Sequence, residues 1–168
     1  MRITLFVDAD HARDKVTSQS VSGILLLINN TVVKTFSKRQ TTVESSTYGF
    51  ELVAARLATD QAVELIYTLQ MIGVPIDGSA LMLGDNKSVV INTTILSSAL
   101  KKKHNAIAQH RVCKAIAARL IRFWHIDSKI NVVDVLTKPL DNQTFHHLIR
   151  PFLFNNPGEP QWPPEHKV

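Results

Sequence analysis

Residues 44–86, ESSTYGFELVAARLATDQAVELIYTLQMIGVPIDGSALMLGDN, carry one long helical pattern and then a short apolar strand that ends on two polar residues. Leu52, Ala55, Ala62, Leu69 and Ile72 recur at helical spacing and no proline interrupts them, while Gly73-Val74-Pro75 closes the run. The pattern predicts one helix from Glu44 to Ile72, crossing over to a strand from Ala80 to Leu83. At that strand's carboxyl end stand Asp85 and Asn86, and either side chain suits the cap of a new helix.

Upstream, Ile3 to Val7 reads as a strand, Val21 to Ile28 as a second, and Val32 to Phe36 as its hairpin partner across Asn29-Asn30, a dipeptide that tolerates positive φ. Downstream come a helix from about Asn105 to Leu120, a strand from Ile121 to Ile126, and a terminal helix pair broken near Pro139. Three antiparallel strands followed by two reached through helical crossovers predict an α/β fold: a mixed five-stranded sheet with helices on both faces.

The 168 residues suit one domain, and a 45% hydrophobic content can fill its core. A single cysteine, Cys113, excludes a disulfide framework and a cysteine-based zinc site and favours a reducing compartment. The longest apolar runs, such as Val21 to Ile28, fall far short of the roughly 20 residues of a membrane span, and Met1 leads straight into strand pattern without a signal sequence. A soluble intracellular protein is expected. Residues 155–168 hold the proline-rich, polar tail NNPGEPQWPPEHKV, which cannot build a core.

The net charge of +5 is unevenly spread, because no acidic residue lies between Asp85 and Asp127 while Lys87, Lys101, Lys102, Lys103, Arg111, Lys114, Arg119 and Arg122 all do. Such a run suits a polyanion, since neutralising phosphates releases counterions, although a solvated helix face would read the same way.

Four acids stand where an apolar run meets a turn or helix: Asp8 in FVDADHARD, Glu51 in STYGFELVAARLA, Asp85 in LMLGDNKSVV and Asp134 in NVVDVLTKPL. Taken singly each has an ordinary reading. Asp85 suits an N-cap, Glu51 the solvent face of an amphipathic helix, and Asp134 the favourable end of a helix dipole. Taken together they suggest a site for a divalent metal.

The order VDAD, SKRQTTVESSTYGFELVAA, LGDNKSVV, LKKKHNAIAQHRV and INVVDVLTKPL, running from about Leu5 to Phe154, resembles the ribonuclease H domain of copia-type (Pseudoviridae) retrotransposon polyproteins. The resemblance implies residues 1–154 as one ribonuclease H-like domain with strand order 3-2-1-4-5. Strands one and four are then neighbours, which brings Asp8 beside Asp85 and lets Glu51 of the long helix point into the same gap. Two carboxylates about 4 Å apart repel by roughly 4 kcal/mol at an effective dielectric of 20, so without a cation one takes up a proton. Oxygen ligands favour Mg²⁺, with Mn²⁺ as substitute. By resemblance Asp8, Glu51, Asp85 and Asp134 ligate two such ions, with Asp8 bridging and Asp10 supporting, for hydrolysis of the RNA strand of an RNA–DNA hybrid.

Substrate contacts follow with less definition. Lys103, His110 and Lys114 share a helical face with Arg111 beside it, and His104 belongs to the same phrase. Lys38-Arg39-Gln40, Ser46-Thr47-Tyr48 after Ser45, and Asn86 complete the expected nucleic-acid contacts, with hydroxyls suited to phosphates or 2′-hydroxyls. Cellular ribonucleases H carry a mobile histidine before the last helix, whereas the corresponding loop here, Asp127 to Asn131, has none, and no histidine is expected to bind metal. Family members normally follow a reverse transcriptase. A chain opening at Met1 is therefore expected to be an excised domain or one encoded alone, in a virus-like particle, a nucleus or a mitochondrion. The alternative to a nuclease is a domesticated domain serving a ribonucleoprotein as a structural or RNA-binding subunit, with Trp162 anchoring the tail on a partner.

Overall fold

The structure, a computed structural model, describes residues 1–10, 19–41, 44, 46–95 and 103–153, and within that span the side chains from 105 onward in the third helix. Asn29 and Asn30 both take left-handed backbone angles, φ 47° and 68°, and turn strand β2 (Val21–Ile28) into β3 (Thr31–Arg39). The hairpin is the expected one, but β3 runs on past Phe36 because β2 offers backbone partners as far as Val21. Strand β1 (Ile3–Ala9) is buried at every residue, pairing antiparallel with β2 on one side and parallel with β4 (Ala80–Gly84) on the other.

Helix α1 (Thr47–Met71) starts three residues later than its apolar pattern predicts, because Ser46 is extended and its Oγ accepts a hydrogen bond from the Gly49 N–H. It ends where expected, with Gly73 at φ 75°. Two shorter helices follow β4: α2 (Lys87–Thr94) and α3 (Lys103–Ala117). The third helix stops short of Leu120 because Arg119 turns left-handed at φ 56° and releases the chain into β5 (Ile121–His125), parallel to β4. After a 3-10 turn at Ser128–Ile130 come α4 (Asp134–Thr137) and α5 (Asn142–Leu153), separated at Pro139 as the sequence implies.

The sheet order is β3-β2-β1-β4-β5, the mixed arrangement expected, with three antiparallel and two parallel strands. Side chains alternate across β1, so Leu5 and Val7 pack with Phe50, Ala54, Ala58 and Val112 of α1 and α3, while Phe6 packs with Leu25, Val133 and Leu148 on the opposite face. Alanines along α1 let that helix lie close to the sheet. Among the described residues no helix is long and apolar enough to cross a membrane. Ser45, Lys101, Lys102 and the tail from Phe154, including Trp162, lie outside the described residues, as do the side chains of Lys103 and His104.

Candidate metal centre

Register alone brings the first two acids together. Val7 pairs with Gly84 in the parallel β1–β4 ladder, so Asp8 and Asp85 leave adjacent strands side by side at their carboxyl ends. Asp8 shares its face of the sheet with Phe6, the face on which α4 lies, and Thr137 Oγ1 of α4 donates a hydrogen bond to Asp8 Oδ2. Gly23, the β2 partner of Asp8, makes this possible. A Cβ there would stand 2.5 Å from Thr137 Cγ2 and 2.6 Å from Val133 Cγ1, closer than any real contact. The segment entering α4 is held by the fully buried Asn131, whose Nδ2 donates to the Val7 carbonyl at 3.2 Å, and the helix end by Ser37 Oγ donating to the Leu136 carbonyl at 2.8 Å.

Oxygens of Asp8, Asp85 and Asp134 consequently lie within 4.8 Å of one another. Glu51 reaches the rim from α1 on the other side of the sheet. It is buried, accepts a hydrogen bond from the Ala9 N–H, and is held well above the usual carboxylate range, first by burial and then by the charges of Asp8 and Asp85. Burial and the Asp8 charge also raise Asp85, and burial raises Asp134 to about 6. Among the described residues one ammonium belongs to the cluster: Lys138 Nζ lies 3.0 Å from Asp134 Oδ1 and 3.4 Å from Asp8 Oδ2. Although burial acts to lower it, the Asp8 and Asp134 carboxylates hold this ammonium above its ordinary value.

Among the described residues a single ammonium faces four acids, and buried Asp8 Oδ1 and Asp85 Oδ1 have no hydrogen-bond partner there. Orphaned oxygens of this kind, in a set of carboxylates without histidine or cysteine, fit a hard divalent cation. Asp10 is buried too, its N–H donating to the Val21 carbonyl, and it continues the strand pairing just beyond Asp8. His125 ends β5 opposite Gly84 and places Nε2 3.1 Å from the Asp85 carbonyl, close to the cluster without joining it.

The expected nucleic-acid contacts separate into several groups. Lys38 and Arg39 are exposed, and Lys38 lies in register with Ser22 and through it with Ala9, two strand spacings or roughly 10 Å from the end of β1. Together with Thr41 and Arg56 they line a cleft of about 240 Å³ between β3 and α1 that reaches Ala108 of α3. Gln40, in contrast, is an interior tie, 4% exposed, with Nε2 donating to Ser22 Oγ and to the Phe50 carbonyl, both at 2.8 Å. Ser46 and Asn86 spend their side chains as helix caps, the latter accepting from the Val89 N–H. Thr47 is exposed and Tyr48 half-buried, its hydroxyl pushed up by burial. On α3, His110 and Lys114 face solvent, whereas Arg111 Nε donates to Asp60 Oδ1 at 2.7 Å and ties α3 to α1.

Four residues that shape the centre were not singled out by sequence reasoning: Gly23, Asn131, Thr137 and Lys138. Only Lys138 carried a local signal, its place four residues after Asp134 on a short helix, the spacing of an acid–base pair.

No family model matches the chain. Its architecture does match solved structures. Over 82% of this chain and 95% of the other, it aligns at 14% identity and a TM-score of 0.60 with ribonuclease H1 from the halophilic archaeon Halobacterium salinarum NRC-1. Compost-derived LC11 ribonuclease H1, in complex with an RNA/DNA hybrid, aligns at 16% identity and a TM-score of 0.60, over 81% of this chain and 94% of that one. The foamy viral protease-reverse transcriptase, also with a hybrid, aligns at 16% identity and a TM-score of 0.57, over 80% of this chain and 19% of the viral one. At such identities the likeness is one of fold, and the fold is that of ribonuclease H.

Proposed function

We propose that this chain is a metal-dependent endonuclease that hydrolyses the RNA strand of RNA–DNA hybrids and derives from a copia-type retrotransposon polyprotein. The observation that carries this reading is the convergence of Asp8, Asp85 and Asp134, with Glu51 at the rim, where β1 and β4 end and two buried oxygens lack partners among the described residues. Two of the fold neighbours were solved with RNA/DNA hybrids, which supports the substrate class, and one is a reverse transcriptase, which supports such a domain as a partner.

Asp8, Glu51, Asp85 and Asp134 would hold two Mg²⁺ or Mn²⁺ ions. Bound there, the ions supply a nucleophilic water at neutral pH and charge neutralisation at the leaving oxygen. The protein's own work is to hold the carboxylates at fixed spacing. Asn131 and Gly23 do so by seating α4 against β1 and β2. Attack of water on phosphorus breaks its bond to the 3′ oxygen, leaving 3′-hydroxyl and 5′-phosphate ends.

Lys38 and Arg39, about two strand spacings away along the same sheet end, suit backbone phosphates; Arg56 of α1, paired with Asp60, lines the same cleft, and exposed His110 and Lys114 extend the basic surface along α3. Thr47 is placed at the start of α1 for a phosphate or 2′-hydroxyl contact. Incubating the protein with a labelled hybrid and Mg²⁺ or Mn²⁺, beside single-stranded and duplex controls, tests the reading. RNA-strand cleavage confined to the hybrid supports it, and no cleavage by folded protein in either metal refutes it.

A further inference from the structure

Lys138 contacts two of the clustered carboxylates, those of Asp8 and Asp134. Its Nζ contacts Asp134 Oδ1 at 3.0 Å and Asp8 Oδ2 at 3.4 Å, and Asp8 Oδ2 also accepts the Thr137 hydroxyl. Among the described residues, Asp8 Oδ1 and Asp85 Oδ1 are buried and have no hydrogen-bond partner. The two oxygens of Asp8 are thus unequally disposed toward a cation. Among the described residues one has two donors and the other has none.

The backbone fixes this asymmetry. Lys138 follows the single turn of α4 in extended conformation, φ −128° and ψ 143°, with its N–H donating to the Asp134 carbonyl. Pro139 bars a further helical turn, so the side chain folds back over Asp134 one turn earlier. A flexible four-carbon stem and a 35% exposed side chain leave the ammonium able to swing outward to another anion. A phosphodiester arriving over the cluster is such an anion.

We propose that Lys138 is a built-in counter-cation that keeps the Asp8–Asp134 half of the centre closed to metal until a nucleic-acid phosphate draws it away. The inference rests on the metal-dependent nuclease reading and extends it: the free protein takes up one divalent ion, on the Asp8–Asp85 side, and the nucleic-acid complex takes up two. An ammonium and a divalent ion compete for the same two oxygens, so the second ion enters only as Lys138 leaves. The closed half spares the free protein a fully loaded centre, and metal loading becomes coupled to substrate.

The test counts bound Mn²⁺ from the loss of the free-ion electron paramagnetic resonance signal, at pH 7 and without nucleic acid. Wild type is expected to bind one ion, and Lys138→Met and Lys138→Gln two. Asp134→Asn combined with Lys138→Met should return the count to one. Should the lysine variants fail to fold, wild type titrated with a hybrid carrying non-hydrolysable linkages supplies the same readout, rising from one ion to two. Equal counts, with Mn²⁺ affinities within twofold, for wild type and a folded lysine variant would overturn the proposal, as would a wild-type count unchanged by the hybrid. Zero Mn²⁺ in every protein overturns both this inference and the metal-dependent reading. A lysine-dependent count in a protein whose hybrid cleavage ignores Asp85→Asn instead removes the nuclease reading and leaves the counter-cation in place.

Discussion

Asp134 is the acid whose behaviour is easiest to follow in solution. Burial, chiefly, raises its carboxyl from an ordinary 3.8 to about 6 in the folded chain, against the opposing bond from Lys138. Between those values the native state binds a proton that the unfolded chain has released, so this group's contribution to stability increases as pH falls through about 6 and is lost as pH rises through it. In metal-free protein, Asp134→Asn should therefore flatten the dependence of Tm on pH between about 4 and 6, and gain on wild type by about 2–4 °C per kcal/mol above that window. Mn²⁺ at pH 7 should raise the wild-type Tm, and the rise should shrink below pH 6 as protons compete for the same oxygens. A Tm profile that Asp134→Asn leaves unchanged would mean the carboxyl is not perturbed. That Asp134 belongs to the site was readable from its phrase. That it shares its oxygens with Lys138 and lies beside Thr137 was not, because those contacts depend on how one turn of helix seats against β2.

At the scale of elements, α4 is the piece whose placement brings Asp134 and Thr137 to Asp8. It is one turn long, too short to be stable by itself, and is positioned by contacts from β1, β2 and β3: Asn131 on Val7, Ser37 on Leu136, and the bare face of Gly23 beneath Thr137 and Val133. Gly23→Ala should push α4 outward and cost about 1–3 kcal/mol, the usual range for overpacking. Metal affinity should drop with it although no ligand changes, and urea denaturation beside Mn²⁺ titration would show both effects. Undiminished Mn²⁺ affinity would mean that α4 does not depend on this close approach. The larger elements were legible for reasons visible in particular residues. Asn29-Asn30 marked the hairpin, and Gly73-Val74-Pro75 marked the end of α1. The start of α1 was not legible from apolar spacing because Ser46, a capping hydroxyl, interrupts the helix three residues inside the run. Gly23 looked like an ordinary residue of an apolar strand.

Across the whole molecule, the sheet order β3-β2-β1-β4-β5 sets both the carboxylate cluster and the surface around it. The crossover of α1 makes β1 and β4 parallel neighbours, and that juxtaposition of Asp8 and Asp85 is what the sequence conveyed most directly. The basic surface conveyed less. A stretch without acids marked α3, yet its Arg111 bonds to Asp60 of α1, and Gln40 of the expected substrate loop lies in the interior. Charge in a sequence shows neither which cations the fold will neutralise nor which will face solvent. Lys38 and Arg39, at an exposed sheet end beside the cleft, are better placed for phosphates. Replacing both by alanine should weaken hybrid binding and make it less salt-dependent, reducing the slope of log affinity against log salt by about 2. An unchanged slope would place the nucleic acid elsewhere. Arg111→Ala should act mainly on stability, by at most about 1 kcal/mol, since both partners of its ion pair with Asp60 are more than a third exposed.

The central claim, that carboxylates from β1, β4, α1 and α4 form a metal-dependent nuclease centre, is tested most directly by cleavage of a labelled RNA–DNA hybrid by wild type and Asp85→Asn, in Mg²⁺ and in Mn²⁺. Loss of a partner outside the ligand set of a metal site typically lowers activity about 10–100-fold, and the loss of a ligand should exceed that. RNA-strand cleavage by wild type that requires the metal and falls by more than about 100-fold in Asp85→Asn is the predicted result. Cleavage that survives intact in Asp85→Asn, or folded wild type that cuts no hybrid in either metal, would contradict it.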